Sequence, residues 1–558
     1  MNYIFSSNSR DYNDWTTEPM IMENFEPLQH KVFSKDVFEL NTNNVTILTS
    51  PVREYQHHCG VLILQGNKTF GKAPKGRLYY KCIPNDKSLP MFLIPYELKI
   101  GFSKNHLNKY VTFKFQHWDQ KHPVGTLTES FGDVDNFASF CTYQLWTKQL
   151  VYSISSLHKQ VKFGLKNMDE TLLVEHVLEN TQYNVRDKRN TNVYSIDPEN
   201  SRDLDDAFSI EYLNNNQYKI SIYIANVPVV LDIYQLWEHL SKRISTIYLP
   251  EERRTMLPES LSDNICSLLE GKERIAFTME VIFDTSKNDM LYDSISFYNS
   301  LICVNTNYVY EEKSLLKNRD YKNLYNITKQ MDPNTVDSHD VISYWMIFMN
   351  SQSAKLLYDH KCGLFRKIQV YEKHIQHNID DKDIKQTISM WNNVSSGYVL
   401  YNENETVEHD LLNVDGYVQI TSPIRRMVDI MNQYYFMSNI MNISFHDTCS
   451  DFIHKKESQI QELNADMKSI RKVQSECDLL YTCTHNSELM NANIEGYIFD
   501  KIEDNGEFRY CVYMKSLKKI TYFKHHNNIP NYSFHMFKLF LFDRENNGHR
   551  KIRLMLQT

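Results

Sequence analysis

Four aspartates fall within ten residues, in Asp197-Pro-Glu-Asn-Ser-Arg-Asp203-Leu-Asp205-Asp206. Carboxylates about 4 Å apart repel by roughly 4 kcal/mol at an effective dielectric of about 20, so a converging set calls for cations. Hard oxygen donors on a short loop suit Mg²⁺ or Mn²⁺ rather than zinc. Two such ions about 3.5–4 Å apart are a common device for in-line attack of water on a phosphodiester. The same residues also admit a calcium or structural-metal loop, or a plain solvated turn. The spacing lacks the central glycine and distal glutamate of an EF-hand.

A second constellation is Thr421-Ser422-Pro423-Ile424-Arg425-Arg426. Thr421 or Ser422 can cap a helix, and Pro423 suits its first turn. Ile424, Val428, Met431 and Tyr435 continue an apolar stripe, which predicts that Arg425 and Arg426 occupy the first helical turn. Cations there are opposed by the helix dipole, at a cost of about 0.3–1 kcal/mol. A phosphate between the helix end and the two guanidinium groups would reverse that balance. The alternative is a pair of solvated or salt-bridged arginines.

The elements that must position these groups are legible in outline. Short apolar runs broken by turns (HHCGVLILQG, RLYYKCIPND, PMFLIPYEL, KYVTFKFQHW) read as strands of a small barrel or sandwich. Lys68, Lys72, Lys75, Arg77 and Lys81 lie among Phe70, Tyr79 and Tyr80. That mixture suits backbone tracking with base stacking, or simply a solvated basic edge. Residues 133–185, with NFASFCTYQLWTKQLVYSISSLH, look helical and join two domains. TNVYSID, AFSIEYL and YKISIYIANV read as strands, the last half-buried because Ile220, Ile222 and Ile224 alternate. Ile460, Leu463, Met467, Ile470 and Cys477 share one face of a long helix. Residues 494–558 return to short strands, the pattern of a second small barrel.

The chain's 558 residues exceed what one core sustains and predict about three to four domains. A net charge of −8 is not the basic footprint of a protein that coats nucleic acid. A local basic groove suffices for an enzyme acting on it. Ten unpaired cysteines without a CxxC, no basic-then-apolar N-terminus and no membrane-length apolar run predict a reducing intracellular compartment such as the cytoplasm.

IDPENSRDLDDAFSI, then IYLPEERRTMLPESLSDNICSLLEGKERIAF, then TSPIRRMVDI, in this order, resemble the catalytic domain of the RNase II/RNase R (RNB-domain) family of exoribonucleases. VREYQHHCGVL and YYKCIPNDKSLPMFLIPY, with Trp118, Pro123, Gly125, Gly132 and Asp133, resemble the second cold-shock barrel of the eukaryotic exosome catalytic-subunit branch. The resemblance implies an α+β multidomain chain. Residues 1–48 would be a partial or divergent cold-shock region, 49–140 a cold-shock (OB) RNA-binding domain, and 141–185 a helical linker. Residues 186–488 would be a mixed α/β RNB catalytic domain, and 489–558 an OB-type RNA-binding barrel.

The family hydrolyses single-stranded RNA processively from the 3′ end to nucleoside 5′-monophosphates. The resemblance implies that Asp197, Asp203, Asp205 and Asp206 hold two Mg²⁺ ions, which Mn²⁺ can replace. Asp205 is then the position whose loss stops chemistry, and Arg425 holds the scissile phosphate. Tyr248, Arg366, Arg425 and Arg426 would contact RNA. A monomer is the expected state, with an RNA helicase or RNA-decay complex as candidate partner. The sequence departs from the family at Gln419, Ile420, Met427, Val428 and Gln433, and Lys367 and Ile368 replace the usual stretch after Arg366. The usual leucine–threonine–tyrosine segment keeps only Tyr310. The rival readings are a catalytically inactive RNA-binding scaffold and a phosphodiesterase for DNA or small nucleotides.

Overall fold

The computed structural model describes residues 2–21, 25–41, 44–98, 106–213, 216–369, 381, 384, 387–388, 395–403, 407, 409, 412, 416–504, 506–543 and 550–557. Two compact units emerge. One comprises Met1–Val151, Leu249–Glu251 and Arg471–Thr558; the other comprises Tyr152–Tyr248 and Glu252–Ile470.

In the first unit, β1 (Asn2–Ser7), β2 (Trp15–Glu18), β3 (Val37–Asn41) and β4 (Asn44–Thr49) make a sheet in the order β2-β1-β3-β4. Phe5, Tyr12, Phe25, Val32 and Phe38 are its core. Five further strands close into a barrel in the order β5-β6-β7-β9-β8. They are β5 (His58–Ile63), β6 (Leu78–Pro84), β7 (Phe92–Tyr96), β8 (Lys109–His117) and β9 (Val124–Asp133). Leu62, Tyr80, Cys82, Phe92, Ile94, Val111 and Phe113 fill it.

Two expectations need correction here. Phe33 belongs to the barrel's core, so a boundary at residue 48 cuts through shared packing. Tyr80 is buried, so its aromatic area fills the barrel and is withdrawn from base stacking. The basic edge itself is present. Burial lowers the Lys81 ammonium, and neighbouring Lys68 and Lys121 lower it further.

The stretch expected to be helical over 133–185 carries the helices Phe137–Thr147, Ser155–Asn167 and Glu170–Glu179. Gln149 is left-handed at φ 57°, and Leu150 N–H donates to the Leu145 carbonyl at 2.9 Å. Backbone bonding of this kind closes a helix C-terminus, here without glycine.

The second unit is built on a six-stranded mixed sheet in the order β10-β17-β11-β12-β13-β16. Its strands are β10 (Val185–Asp187), β11 (Val193–Asp197), β12 (Asp206–Leu213), β13 (Gln217–Ala225), β16 (Glu273–Asp284) and the 21-residue β17 (Asp289–Val309). Intervening β14 (Ile247–Leu249) and β15 (Glu252–Arg254) are short. β17 pairs antiparallel with β16 over its first part and parallel with β11 over its last. The antiparallel β12–β13 hairpin carries the isoleucines. β13 is not half-buried as expected: Ser221 and Tyr223 are as inaccessible as Ile220, Ile222 and Ile224. A strand flanked on both edges and covered on both faces hides its polar positions too.

The helices Ser338–Asp359 and Met427–Asn439 lie in this unit, and the second is buried almost all round. The helix Ile460–His485 follows, with Leu463, Ile470 and Cys477 of its expected face buried. The stretch from 370 to 394 within the expected catalytic domain lies almost wholly outside the described residues. At the C-terminus, β20 (Asn493–Asp504), β21 (Glu507–Met514), β22 (Lys519–His525), β23 (Ser533–Asp543) and β24 (Arg550–Leu556) form an antiparallel sheet, β22-β21-β20-β23-β24. All ten cysteines are free thiols, and no described helix is long and apolar enough to cross a membrane.

Candidate active site

The aspartate loop leaves β11 at Asp197 and enters β12 at Asp206, so two of the four carboxylates stand on adjacent strand ends. The eight residues between are tied down by their backbone. The Ser267 hydroxyl donates to the Arg202 carbonyl at 2.7 Å and accepts from Leu204 N–H at 3.0 Å. Leu268 N–H donates to the Leu204 carbonyl at 3.0 Å, and Ala225 N–H to the Asp205 carbonyl at 2.8 Å. Buried Arg274 holds the Ser267 carbonyl in turn at 2.8 Å. Such pinning sets side-chain directions before any ligand arrives.

The four carboxylates meet different partners. Oδ2 of Asp197 and Oδ2 of Asp206 are solvent-shielded and have no hydrogen-bond donor among the described residues. Burial pushes Asp197 up to about 7, and Asp203 adds to it. Burial also holds the Asp206 carboxyl well above the usual carboxylate range, with Asp197 and Asp205 reinforcing the shift. Asp205 is buried as well. Its Oδ1 accepts from Ile424 N–H at 2.9 Å and its Oδ2 from Arg425 Nε at 3.0 Å. Burial nevertheless keeps Asp205 up at about 7, against the opposing pull of Arg425.

Asp203 faces elsewhere. Its Oδ1 accepts from Arg253 Nη1 at 2.7 Å, and its Oδ2 accepts from the Tyr248 hydroxyl at 2.5 Å. The expected four-carboxylate cage is therefore split by two arginines. Among the described residues, no three His, Cys, Asp or Glu side chains are grouped so as to hold a metal ion. The donor chemistry at Asp197 and Asp206 still fits a hard cation: two shielded, mutually repelling oxygens have no hydrogen-bond donor among the described residues, and the charge of Arg425 offsets their burial only in part.

The arginine turn also differs from its expectation. The helix begins at Met427, with Arg426 extended at its N-cap (φ −139°, ψ 127°). Thr421 to Arg425 form a turn before it, so neither arginine sits in a helical turn. Tertiary partners take the backbone groups that a helix would have used. Ile424 N–H goes to Asp205 at 2.9 Å and Met427 N–H to the Ile244 carbonyl at 2.9 Å. The Arg425 carbonyl accepts from Thr246 N–H at 3.0 Å. Fully buried Asp429 completes the turn, accepting from Ser422 N–H at 2.7 Å and from Arg426 Nη2 at 2.8 Å.

Arg425 thus joins the aspartate loop while 42% of its side chain stays exposed. Its Nη2 donates to the Ser422 hydroxyl at 3.0 Å, and its Nη1 has no partner among the described residues. Arg426 points inward to Asp429. Arg366 lies on the strand Leu364–Gln369, where its N–H donates to the Tyr417 carbonyl at 2.8 Å. Its charge and that of Arg426 are both felt at the Tyr417 phenol. Tyr310 is near them: its N–H donates to the Asp197 carbonyl at 3.2 Å, and its phenol is raised first by burial and then by Asp206 and Asp197.

Arg253, Asp263, Ser267 and Asp429 carry parts of the site that residue types and spacing did not single out. Arg253 and Asp263 were within reach of a charge-balance argument, since a cluster of carboxylates needs cations from somewhere. The departures at Gln419, Ile420, Met427, Val428 and Gln433 prove to be packing substitutions, because all five are buried. Gln433 Nε2 donates to the Ala225 carbonyl at 3.1 Å, tying the end of β13 to the buried helix.

Residues 185–323 match the RNB domain. The chain is 31% identical over 202 residues to ribonuclease R of Aquifex aeolicus (strain VF5), an alignment covering 35% of this chain and 28% of that protein. It therefore spans well under a third of that relative's length. Its fold is similar to that of Mycoplasma genitalium RNase R in its apo form, with a TM-score of 0.68 at 14% identity, covering 100% of both chains. It is also similar to yeast Ssd1, described as a pseudonuclease, with a TM-score of 0.60 at 14% identity, covering 96% of this chain and 80% of that one.

Proposed function

We propose, on the match of residues 185–323 to the RNB domain, that this chain is a 3′→5′ exoribonuclease that hydrolyses single-stranded RNA processively to nucleoside 5′-monophosphates with magnesium. The observation that carries this reading is the pair of shielded oxygens on Asp197 and Asp206, without a donor among the described residues, beside the half-exposed Arg425. Such a site is complementary to a phosphodiester accompanied by divalent cations and costly without them.

Asp197 and Asp206 would hold the magnesium, with manganese as substitute, while both oxygens of Asp205 stay committed to Ile424 N–H and Arg425. The metal supplies positive charge for in-line attack of water and for the leaving 3′-oxygen. This chain's own residues do the rest. Asp205 orients Arg425 through Nε, which leaves the outer edge of the guanidinium for the scissile phosphate. Preorganised charge of this kind stabilises the transition state without reorganisation. Tyr248, 40% exposed, offers its ring to the terminal nucleotide. The Ser267 and Ala225 hydrogen bonds keep the loop from moving as the strand advances.

A time course on 5′-labelled single-stranded RNA tests the proposal. With Mg²⁺ the label should pass down a ladder of shortening fragments while nucleoside monophosphate accumulates. EDTA should stop both, and an intact strand in Mg²⁺ would refute the reading.

One set of observations favours an inactive RNA-binding scaffold. Asp203 and Asp205 are already engaged by arginines, and no three-residue metal group is present among the described residues. In that case the labelled strand would bind and remain whole.

A further inference from the structure

We infer that Asp203 acts with Arg253 as a clamp that positions Tyr248, rather than as a metal ligand. This rests on the proposal that Tyr248 meets the RNA end. Arg253 spans two carboxylates, placing Nη1 at 2.7 Å from Asp203 and Nη2 at 2.5 Å from Asp263. The Asp203 and Arg253 side chains are only 9% and 19% exposed, so the pair is shielded from competing water and salt.

The other oxygen of Asp203 accepts the Tyr248 hydroxyl. Both oxygens of Asp203 are thus committed to donors, whereas Asp197 and Asp206 each keep one oxygen with none. Asp263 is held in its turn: it lies in the π-helical turn Leu261–Ile265, and the Ser262 hydroxyl donates to it at 2.6 Å. The chain of contacts runs Ser262, Asp263, Arg253, Asp203, Tyr248. It ends on an exposed aromatic ring whose orientation is set from its hydroxyl end.

A tyrosine tethered in this way is preorganised. Its ring does not have to be immobilised when a base stacks on it, so affinity rises without a new contact to the ligand. Arg253 touches neither the reacting atoms nor, on this reading, the RNA; it is a positioning residue.

The test compares wild type, Arg253→Met, Arg253→Lys, Tyr248→Phe, Asp203→Asn, Asp206→Asn and the Arg253→Met/Tyr248→Phe double variant. Two readouts do not need turnover. The first is fluorescence-anisotropy affinity for a labelled single-stranded oligoribonucleotide in EDTA; the second is Mn²⁺ affinity by electron paramagnetic resonance. Arg253→Met and Tyr248→Phe should each weaken RNA binding several-fold. The double variant should be no weaker than Arg253→Met alone, because both break one chain of contacts. Arg253→Lys should recover part of the loss, which guards against a folding defect in the methionine variant.

Mn²⁺ affinity should stay within about twofold of wild type in Asp203→Asn and fall at least about tenfold in Asp206→Asn. Additive RNA losses, or an equal Mn²⁺ loss in Asp203→Asn and Asp206→Asn, would overturn the clamp. Failure of the nuclease proposal looks different: wild type would leave RNA intact in Mg²⁺ while the clamp variants still differed in RNA affinity.

Discussion

Asp197 and Asp206 differ from Asp203 and Asp205 in the partners their oxygens meet. The outer two stand on adjacent strand ends, each with a shielded oxygen that no donor meets among the described residues. The inner two, on the loop between them, each carry an arginine. Within ten residues the fold has made two kinds of carboxylate. One pair is left short of positive charge, which is the requirement for recruiting a cation. The other uses its charge to aim Arg425 and Arg253. The contrast shows that a run of acidic residues is not a ligand set until the partner of each oxygen is known.

The largest expected effect falls on the inner pair. Asp205→Asn loosens Arg425 and removes a charge at the centre of the site, so turnover of a labelled poly(A) strand should fall by more than about 10³-fold. Affinity for that strand should remain within a few-fold. Normal turnover would show that the outer pair suffices. The outer pair is separated from it by Asp206→Asn in the metal-free protein, where a neutral side chain relieves like-charge repulsion. Thermal unfolding in EDTA should then occur a few degrees higher than in wild type, a rise that Asp203→Asn should not reproduce. Equal shifts in the two variants would erase the distinction between the pairs.

Asp429 lies behind the inner pair and sharpens its definition. Asp429→Asn keeps an acceptor for Ser422 N–H and loses the charge facing Arg426. A cost of about 2 kcal/mol in chemical denaturation is expected. An unchanged midpoint would mean that the turn is held by Asp205 alone.

The smallest effect is on pH dependence. Asp197 is held up to about 7, against an unfolded value of about 3.9. Between those values the folded chain binds the extra proton. Its stability contribution is therefore full below about pH 4 and is lost as pH rises through about 7. In EDTA, wild type should lose more stability than Asp197→Asn between pH 5 and pH 7.5, and Mg²⁺ should restore more at the higher pH. Parallel profiles for the two proteins would remove Asp197 from the charge-starved pair.

Part of this site was legible without coordinates. The strands around the aspartates, the loop between them and the apolar face of the helix Ile460–His485 follow from local periodicity, which a single segment carries by itself. The start of the helix after Pro423 did not follow from such rules. Capping residues favoured Thr421 or Ser422, yet Asp205, Ile244 and Thr246 claimed the backbone groups and delayed the helix to Met427. β13 misled in the same way, since alternation reports one buried face and is silent about a cover on the other.

Residue order alone determined that carboxylates would crowd one short connector and that two arginines would follow a proline some two hundred residues later. It determined the strands and helices that carry them. Tertiary structure alone decided which carboxylate is bonded by Arg425, which by Arg253 and which two keep an oxygen without a donor among the described residues. The reason is range. Periodicity and capping act over a few residues, whereas the contacts that set each charge join positions 50 and 220 residues apart, and only the folded chain brings those together.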